Sequence, residues 1–131
     1  MAGDIERVAT GDAPAPAGHY AQATVWDGLI FVSGQLATRP DGTRLNHQPF
    51  AEQARQALAN MLAIAAAGGA GAEDFLKVTV YVVGIAHWPE FNAVFAEMFG
   101  EARPARAIVP VPELHHGFLV EVEGVAVRRG A

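Results

Sequence analysis

The sequence of 131 residues contains no cysteine. Disulfide bonds, thiolate metal sites and cysteine nucleophiles are therefore excluded together, because each of them requires a thiol. The sequence also lacks a run approaching ~18 apolar residues, and its first residues do not have the basic and hydrophobic segments of a signal peptide. We therefore expect a cytoplasmic protein that does not bind a membrane.

Positive charge is scarce as well. Nine Lys and Arg residues oppose 14 Asp and Glu residues, so the formal net charge is -5 and the pI is about 5.4. The only adjacent pair of cations is Arg128-Arg129, near the C-terminus. Because proteins that bind nucleic acid usually present a basic patch to its phosphates, we expect no nucleic-acid partner. Ribonuclease activity is accordingly the least favoured function.

What the sequence does have is apolar surface. Hydrophobic residues make up 51% of it and charged residues 18%, which is unusually apolar for a protein that exposes all its faces to water. A chain of this length can bury one core without disulfides or metals. We therefore expect a single domain, residues 1–131, with part of its surface covered by a partner.

Apolar spacing and turn residues predict eight elements in the order β-β-β-α-β-α-β-β. The two helices are predicted at Pro49–Ala67 and Pro89–Phe99. The Asp27-Gly28 pair predicts a tight turn between the second and third strands. The predicted strands are Ile5–Ala9, Ala21–Val25, Leu29–Ser33, Phe75–Val83, Ala105–Val111 and Phe118–Val127.

This order predicts an α+β fold with one mixed sheet. Right-handed crossovers would place both helices on the same face of the sheet and leave the other face bare. Yet Leu29–Val32 is apolar at successive positions, which point to opposite faces of a strand. Because a bare apolar sheet face favours association, we expect a closed homo-oligomer.

Arg106 begins an apolar strand just after Pro104, although the chain has few cations. A guanidinium offers two parallel N–H donors to a carboxylate, and this interaction is strongest where water is excluded. Position alone equally permits an ordinary arginine at a strand end, paired with a surface carboxylate. The pattern therefore leaves both interpretations open.

Glu121 and Glu123 alternate with valines, so both carboxylates project from one face of the last strand. If that face contacts another subunit, two nearby like charges should raise at least one pKa and provide a group for proton transfer. If the face is solvated, the two residues are only the polar half of an amphipathic strand.

Ser33 and Gly34 end a strand, where glycine permits a ligand to approach the backbone and serine supplies a hydroxyl, although a strand terminus explains them equally well. Tyr20 could line a pocket, or pack at the junction of a loop and a strand.

His115-His116 could suggest a metal, but neighbours in an extended chain point to opposite faces. No third ligand has suitable spacing and no cofactor motif is present, so we expect neither a metal nor a cofactor.

Five segments, taken in order, resemble the RidA/YjgF family of reactive-intermediate deaminases. They are GHYAQATVWDGLIFVSGQL, AAAGGAGAEDFLKVTVYVV, FNAVFAEMFG, RPARAIVPV and LVEVEGVAV, and the resemblance runs from about Pro16 to Val127. It implies a chorismate-mutase-like α+β fold and a homotrimer with sites between subunits. It also implies hydrolysis of an enamine or imine, such as 2-aminoacrylate, to a 2-oxo acid and ammonia, without a cofactor.

The resemblance implies a role for each of five residues. Arg106 would bind the substrate carboxylate, while Tyr20 and Ser33 would line the pocket. Glu121 would position or activate the hydrolytic water, and Asn92 would contribute to the cleft from its own side of the interface.

Three departures from the family pattern bear on the substrate. Ile108 stands where many members have cysteine, although its backbone N–H could still reach a carboxylate. His19 precedes Tyr20 where proline is commoner, and the segment around His115-His116 is unusual. If these histidines line the cleft, the substrate could be bulkier than 2-aminoacrylate. A carboxylate-binding or chaperone-like trimer without turnover is the alternative from another class.

Overall fold

The computed structural model describes residues 3–129, which form one six-stranded mixed sheet and two α-helices. The strands are β1 Glu6–Val8, β2 Ala23–Trp26, β3 Leu29–Gln35, β4 Phe75–Val82, β5 Ala105–Pro110 and β6 Val120–Val127. The helices are α1 Phe50–Ala67 and α2 Trp88–Phe99. The predicted order of elements is therefore confirmed.

The strands lie in the order β1-β2-β3-β6-β4-β5. Only β4 and β5 pair in parallel, and the other neighbours are antiparallel. The turn between β2 and β3 is tight, as expected, because Asp27 and Gly28 have φ of 53° and 78°. Strand β5 lies at one edge of the sheet, where half of its backbone groups have no strand to pair with.

Both helices cover one face of the sheet. Val78, Val80 and Val82 of β4 lie on that face and are fully buried, as the alternation of the sequence predicted. Helix α1 packs against β3, β6 and α2. It begins after Pro49, whose extended ψ of 152° makes it the cap and not the first helical residue.

The opposite face is open and partly apolar. Trp26, Phe31 and Val109 point away from the helices and are 46%, 44% and 37% exposed. The predicted uncovered face is thus present in the single chain. Neither helix in the described part of the chain has the length and apolar character that a membrane crossing requires.

The start of the last strand was predicted wrongly. Strand β6 begins at Val120, because the chain before it makes a helical turn over His115–Gly117. Phe118 is buried in a small second cluster. The Leu119 N–H donates to the side-chain oxygen of Gln53 at 2.9 Å. The buried ring of Phe118 and the hydrogen bond from Leu119 to Gln53 therefore replace the strand pairing that was predicted for these two residues.

Candidate functional site

A cleft of about 680 Å³ lies beside β6 and brings together four of the predicted site residues. Tyr20 lies on the loop before β2, Ser33 and Gly34 lie near the end of β3, and Glu121 lies on β6. The pairing of β3 with β6 is irregular between Val32 and Gln35. This irregularity sets Ser33 and Gly34 apart from the regular ladder, next to the Glu121 side chain.

Hydrogen bonds fix the wall formed by Ser33 and Tyr20. The Ser33 hydroxyl donates to the Ala21 carbonyl oxygen at 2.6 Å, so its own oxygen can still accept a hydrogen bond from a ligand. The Tyr20 ring is half exposed. Its phenolic oxygen accepts a hydrogen bond from the Ala17 N–H at 3.2 Å, which holds the ring close to its own loop.

Gly34 permits the Glu121 carboxylate to approach the backbone. A Cβ atom at position 34 would lie 2.6 Å from Glu121 Oε2 and 3.2 Å from its carboxyl carbon. Any other residue would have to displace the carboxylate. The absence of a side chain at this position therefore determines where the acidic group sits.

Burial raises the pKa of Glu121, and the charge of Glu123 raises it further, while His115 opposes the shift. The direction agrees with the sequence-based expectation, but the larger cause is burial and not the neighbouring carboxylate. Glu123 is exposed and accepts a hydrogen bond from the Tyr81 hydroxyl at 3.2 Å. Of the two carboxylates on this strand, only Glu121 is thus placed to exchange protons inside the cleft.

Arg106 lies elsewhere, on the helix-covered face of edge strand β5. It is in register with Val78, and its Nη2 donates to Asn92 Oδ1 on α2 at 2.9 Å. The guanidinium carbon lies 4.8 Å from the centre of the Phe95 ring and 5.6 Å from that of Trp88. Burial lowers the pKa of Arg106. Within residues 3–129 no carboxylate forms an ion pair with it.

Ile108 offers a backbone group to the same region. Its side chain faces the helices and packs at the margin of the core. The Val111 N–H donates to the Val82 carbonyl oxygen at 2.9 Å, so alternation along the strand turns the Ile108 N–H toward the free edge. The prediction of a backbone donor at this position is consistent with this geometry.

Arg106 and Glu121 therefore belong to two separate groups within one chain. Arg106, Asn92 and Ile108 lie on the helix side of the sheet, at its edge, whereas Glu121 lies on the open side. Strand β4 separates their strands. One small ligand cannot contact both groups in the same chain.

The histidines are placed differently from one another. His19 lines a neighbouring depression of about 870 Å³ that shares Tyr20 with the cleft, and it does not line the cleft itself. His115 and His116 do line the cleft, and their rings stack with centroids 3.7 Å apart. They do not diverge as in an extended chain, because His116 has φ of 59°. In residues 3–129 no three potential ligands cluster around a metal position.

Sequence reasoning missed the aromatic rings against Arg106 and the amides that hold the cleft walls. Phe95 lies on the apolar stripe of α2, and apolar spacing cannot show that one ring of such a stripe also faces a cation. Gln22 is buried, and its Nε2 donates to the Pro14 carbonyl oxygen at 2.8 Å. Asn60 Nδ2 donates to the carbonyl oxygens of Leu36 and Thr38 at 3.1 and 2.8 Å. Nothing in the sequence separates such amides from surface ones.

Comparison with known proteins gives similarities over nearly the whole chain. Residues 10–128 match the family model described as endoribonuclease L-PSP. A RutC family protein of Pyrococcus horikoshii is 37% identical over 123 residues, which cover 94% of this chain and 98% of the relative. The 2-iminobutanoate/2-iminopropanoate deaminase of Bos taurus is 37% identical over 121 residues, covering 92% and 88%. The crystal structure of the YjgF gene product of Escherichia coli superposes with a TM-score of 0.89 at 36% identity, over 95% of this chain and 99% of that one.

Proposed function

The chain belongs to the RidA/YjgF family, which the endoribonuclease L-PSP model describes, and on this premise we propose that it hydrolyses reactive enamines and imines. The products are a 2-oxo acid and ammonia, and 2-aminoacrylate is a representative substrate. The observation that carries this proposal is Arg106, a half-buried cation with no carboxylate partner among residues 3–129.

A cation in this setting is suited to bind an anion. Removing a guanidinium from water is costly unless an anion compensates it. Arg55, Arg128 and Arg129 each pair with a carboxylate in the chain. The Arg106 guanidinium instead contacts the amide oxygen of Asn92 and two aromatic rings. These contacts orient its N–H groups but do not neutralise its charge. A planar carboxylate matches the remaining donors.

The position of the two groups supports an assembly of several subunits. We infer a chorismate-mutase-like homotrimer in which the Arg106 group of one subunit meets the Glu121 cleft of its neighbour. Three observations support it: the two groups lie on opposite sides of the sheet, β5 is an edge strand, and the open face exposes apolar side chains. Each site would then be complete only between two subunits.

The chemistry of the proposed reaction needs few groups. Arg106 and the Ile108 N–H hold the substrate carboxylate, while Tyr20, Ser33 and the Gly34 backbone shape the pocket. The enamine takes a proton from solvent at its terminal carbon and becomes an iminium ion. Water then adds to the iminium carbon to give a carbinolamine. As its C–N bond breaks, the hydroxyl group releases a proton to solvent and becomes the 2-oxo group, and the nitrogen departs as ammonia.

Glu121 handles the protons in this sequence. It takes a proton from the attacking water and returns one to the departing nitrogen, so that it is regenerated in each turnover. A raised pKa suits this exchange, because the protonated form is then available closer to neutral pH. No metal or organic cofactor takes part in any step.

The test is release of ammonia and 2-oxo acid from 2-aminoacrylate, generated in situ by a dehydratase. We expect the wild-type protein to accelerate this release and Arg106→Ala to abolish the acceleration while leaving the assembly intact in solution. Arg103→Ala is the matched control, because Arg103 is exposed and lies just before the same strand. Full activity of Arg106→Ala would contradict the assigned role. Binding of 2-oxo acids without ammonia release would instead support the carboxylate-binding alternative.

A further inference from the structure

The cleft extends beyond Glu121 to a basic end. Arg44, His115 and His116 line it together with Glu121, Tyr20 and other residues. The conversion of 2-aminoacrylate requires one carboxylate site and one proton-transfer group, and neither of these is at the basic end. The proposed reaction therefore assigns no role to the side chains of Arg44, His115 and His116.

Electrostatic and stacking interactions connect the ionisable groups of the cleft. His115 acts electrostatically on Glu121, and its ring stacks on that of His116. The pKa of His116 is lowered by burial first and then by the charges of Arg44 and His115. Arg44 thus interacts with one histidine of the stacked pair and Glu121 with the other. Because all four side chains line one cleft, a ligand that reacts at Glu121 can extend along the histidine pair toward Arg44.

A backbone bridge and two hydrogen bonds from side-chain amides to carbonyl oxygens fix the basic end in place. Arg44 forms an isolated antiparallel bridge with Thr38, whose carbonyl oxygen accepts a hydrogen bond from the buried Asn60 at 2.8 Å. Asn46 Nδ2 donates to the His116 carbonyl oxygen at 2.9 Å. The segments that carry Arg44 and His116 are therefore both attached to the body of the domain.

Arg44 has no ion-pair partner in the part of the chain that the structure describes. Asp41 also lines the cleft, but its carboxylate accepts a hydrogen bond from the Thr43 N–H at 2.9 Å within its own turn and is also influenced by Arg39. The guanidinium of Arg44 can therefore bind an anion that enters the cleft.

We propose that the basic end of the cleft binds a second acidic group, so that the preferred ligand is a 2-imino acid with a carboxylate on its side chain. The 2-imino end would lie at Glu121 and the distal carboxylate at Arg44, with the stacked histidines along the chain between them. This inference rests on the proposed function for the placement of the reacting end.

The test compares two stable analogues of the products, 2-oxoglutarate and 2-oxobutanoate, by calorimetric titration of the intact protein. We expect the wild-type protein to bind 2-oxoglutarate more tightly. Arg44→Gln should reduce the ratio of the two affinities by about 10- to 100-fold, the range for a charged hydrogen bond. Arg39→Gln is the matched control, because Arg39 belongs to the same turn but does not line the cleft, and it should keep the wild-type ratio.

Equal affinities of the wild-type protein for the two acids would overturn the inference, as would an unchanged ratio in Arg44→Gln. The proposed function is tested separately by ammonia release. If both acids bind with the expected ratio but no imine is hydrolysed, the distal site stands and the hydrolase function fails. If imines are hydrolysed without preference for the second carboxylate, the hydrolase function stands and the distal site fails.

Discussion

The two regions that hold the predicted site residues are built in different ways. Loops form most of the walls of the cleft around Glu121, and the side-chain amides of the buried residues Gln22 and Asn60 attach those loops to the domain. The region around Arg106 lies on strand β5 and helix α2, and Asn92 of α2 contacts the guanidinium directly. Precision in the first region depends on long-range hydrogen bonds, whereas in the second it depends on packed secondary structure.

The same physical effect acts on both regions with opposite sign. Burial raises the pKa of Glu121 and lowers the pKa of Arg106, because a less polar environment disfavours the charged form of each. Neither forms an ion pair within residues 3–129. One acidic and one basic group, each poorly compensated in its own chain, are complementary if subunits bring them together around a substrate.

The largest expected effect comes from removing the proton-transfer group. Glu121→Gln keeps the shape of the side chain but cannot take a proton from water, so we expect turnover to fall by about 10²- to 10⁴-fold. Affinity for 2-oxobutanoate should change much less, because the carboxylate of the ligand is held at Arg106. Steady-state kinetics and calorimetry measure the two effects.

Glu123→Gln is the control for this experiment, since Glu123 lies on the same strand but is exposed. It should retain nearly full turnover. Equal losses of turnover and affinity in Glu121→Gln would show that the residue supports binding and not proton transfer.

A smaller effect is expected from moving the same carboxylate without removing it. Gly34→Ala places a Cβ 2.6 Å from the present position of Glu121 Oε2, and the flexible end of the glutamate must turn away. Because displacement of a catalytic group by about 1 Å can cost about 100-fold in rate, we expect turnover to fall by about 10- to 100-fold. Kinetics and thermal unfolding of the variant measure this effect and its influence on stability.

Gly11→Ala is the matched control, because nothing lies within 4 Å of a Cβ at that position. It should leave turnover unchanged. Wild-type turnover in Gly34→Ala would mean that the position of the Glu121 carboxylate does not limit the reaction. The close approach of this carboxylate to Gly34 would then have no catalytic role.

The sequence predicted the elements of the fold better than the contacts of the site. Hydrophobic periodicity was sufficient for both helices and for the buried face of β4, because burial imposes a period on each of them. It failed before β6, where Phe118 is held by a local cluster and a turn with positive φ at His116. Periodicity carries no information about such a turn.

Residue types near the site were predicted, but not their division between two faces. The alternation along β5 does not by itself say which side of the sheet the helices cover. That side is decided by how α2 packs, and packing places Arg106 on the helix side, against Phe95 and Asn92. Which face of the sheet each site residue occupies is known only when the strand register and the position of α2 are both known.

The smallest expected effect is on stability, and it tests whether the two regions meet. Because the pKa of Glu121 is raised in the folded protein, the folded state binds its proton more tightly than the unfolded state does. The contribution of this group is then most favourable below the ordinary value of 4.5 and is lost as the pH rises through the raised pKa. Glu121→Gln should therefore have a higher Tm than the wild type near pH 7, and the difference should disappear near pH 4.

Glu121→Gln in an Arg106→Gln background tests directly whether Arg106 and Glu121 interact. If Arg106 of a neighbouring subunit lies near Glu121, it stabilises the carboxylate, and removing it should increase the gain in Tm from Glu121→Gln at pH 7. If the two groups remain apart, the two substitutions should be additive at every pH. Thermal unfolding of the four proteins at pH 4 and pH 7 distinguishes these results, and strict additivity would contradict a site shared between subunits.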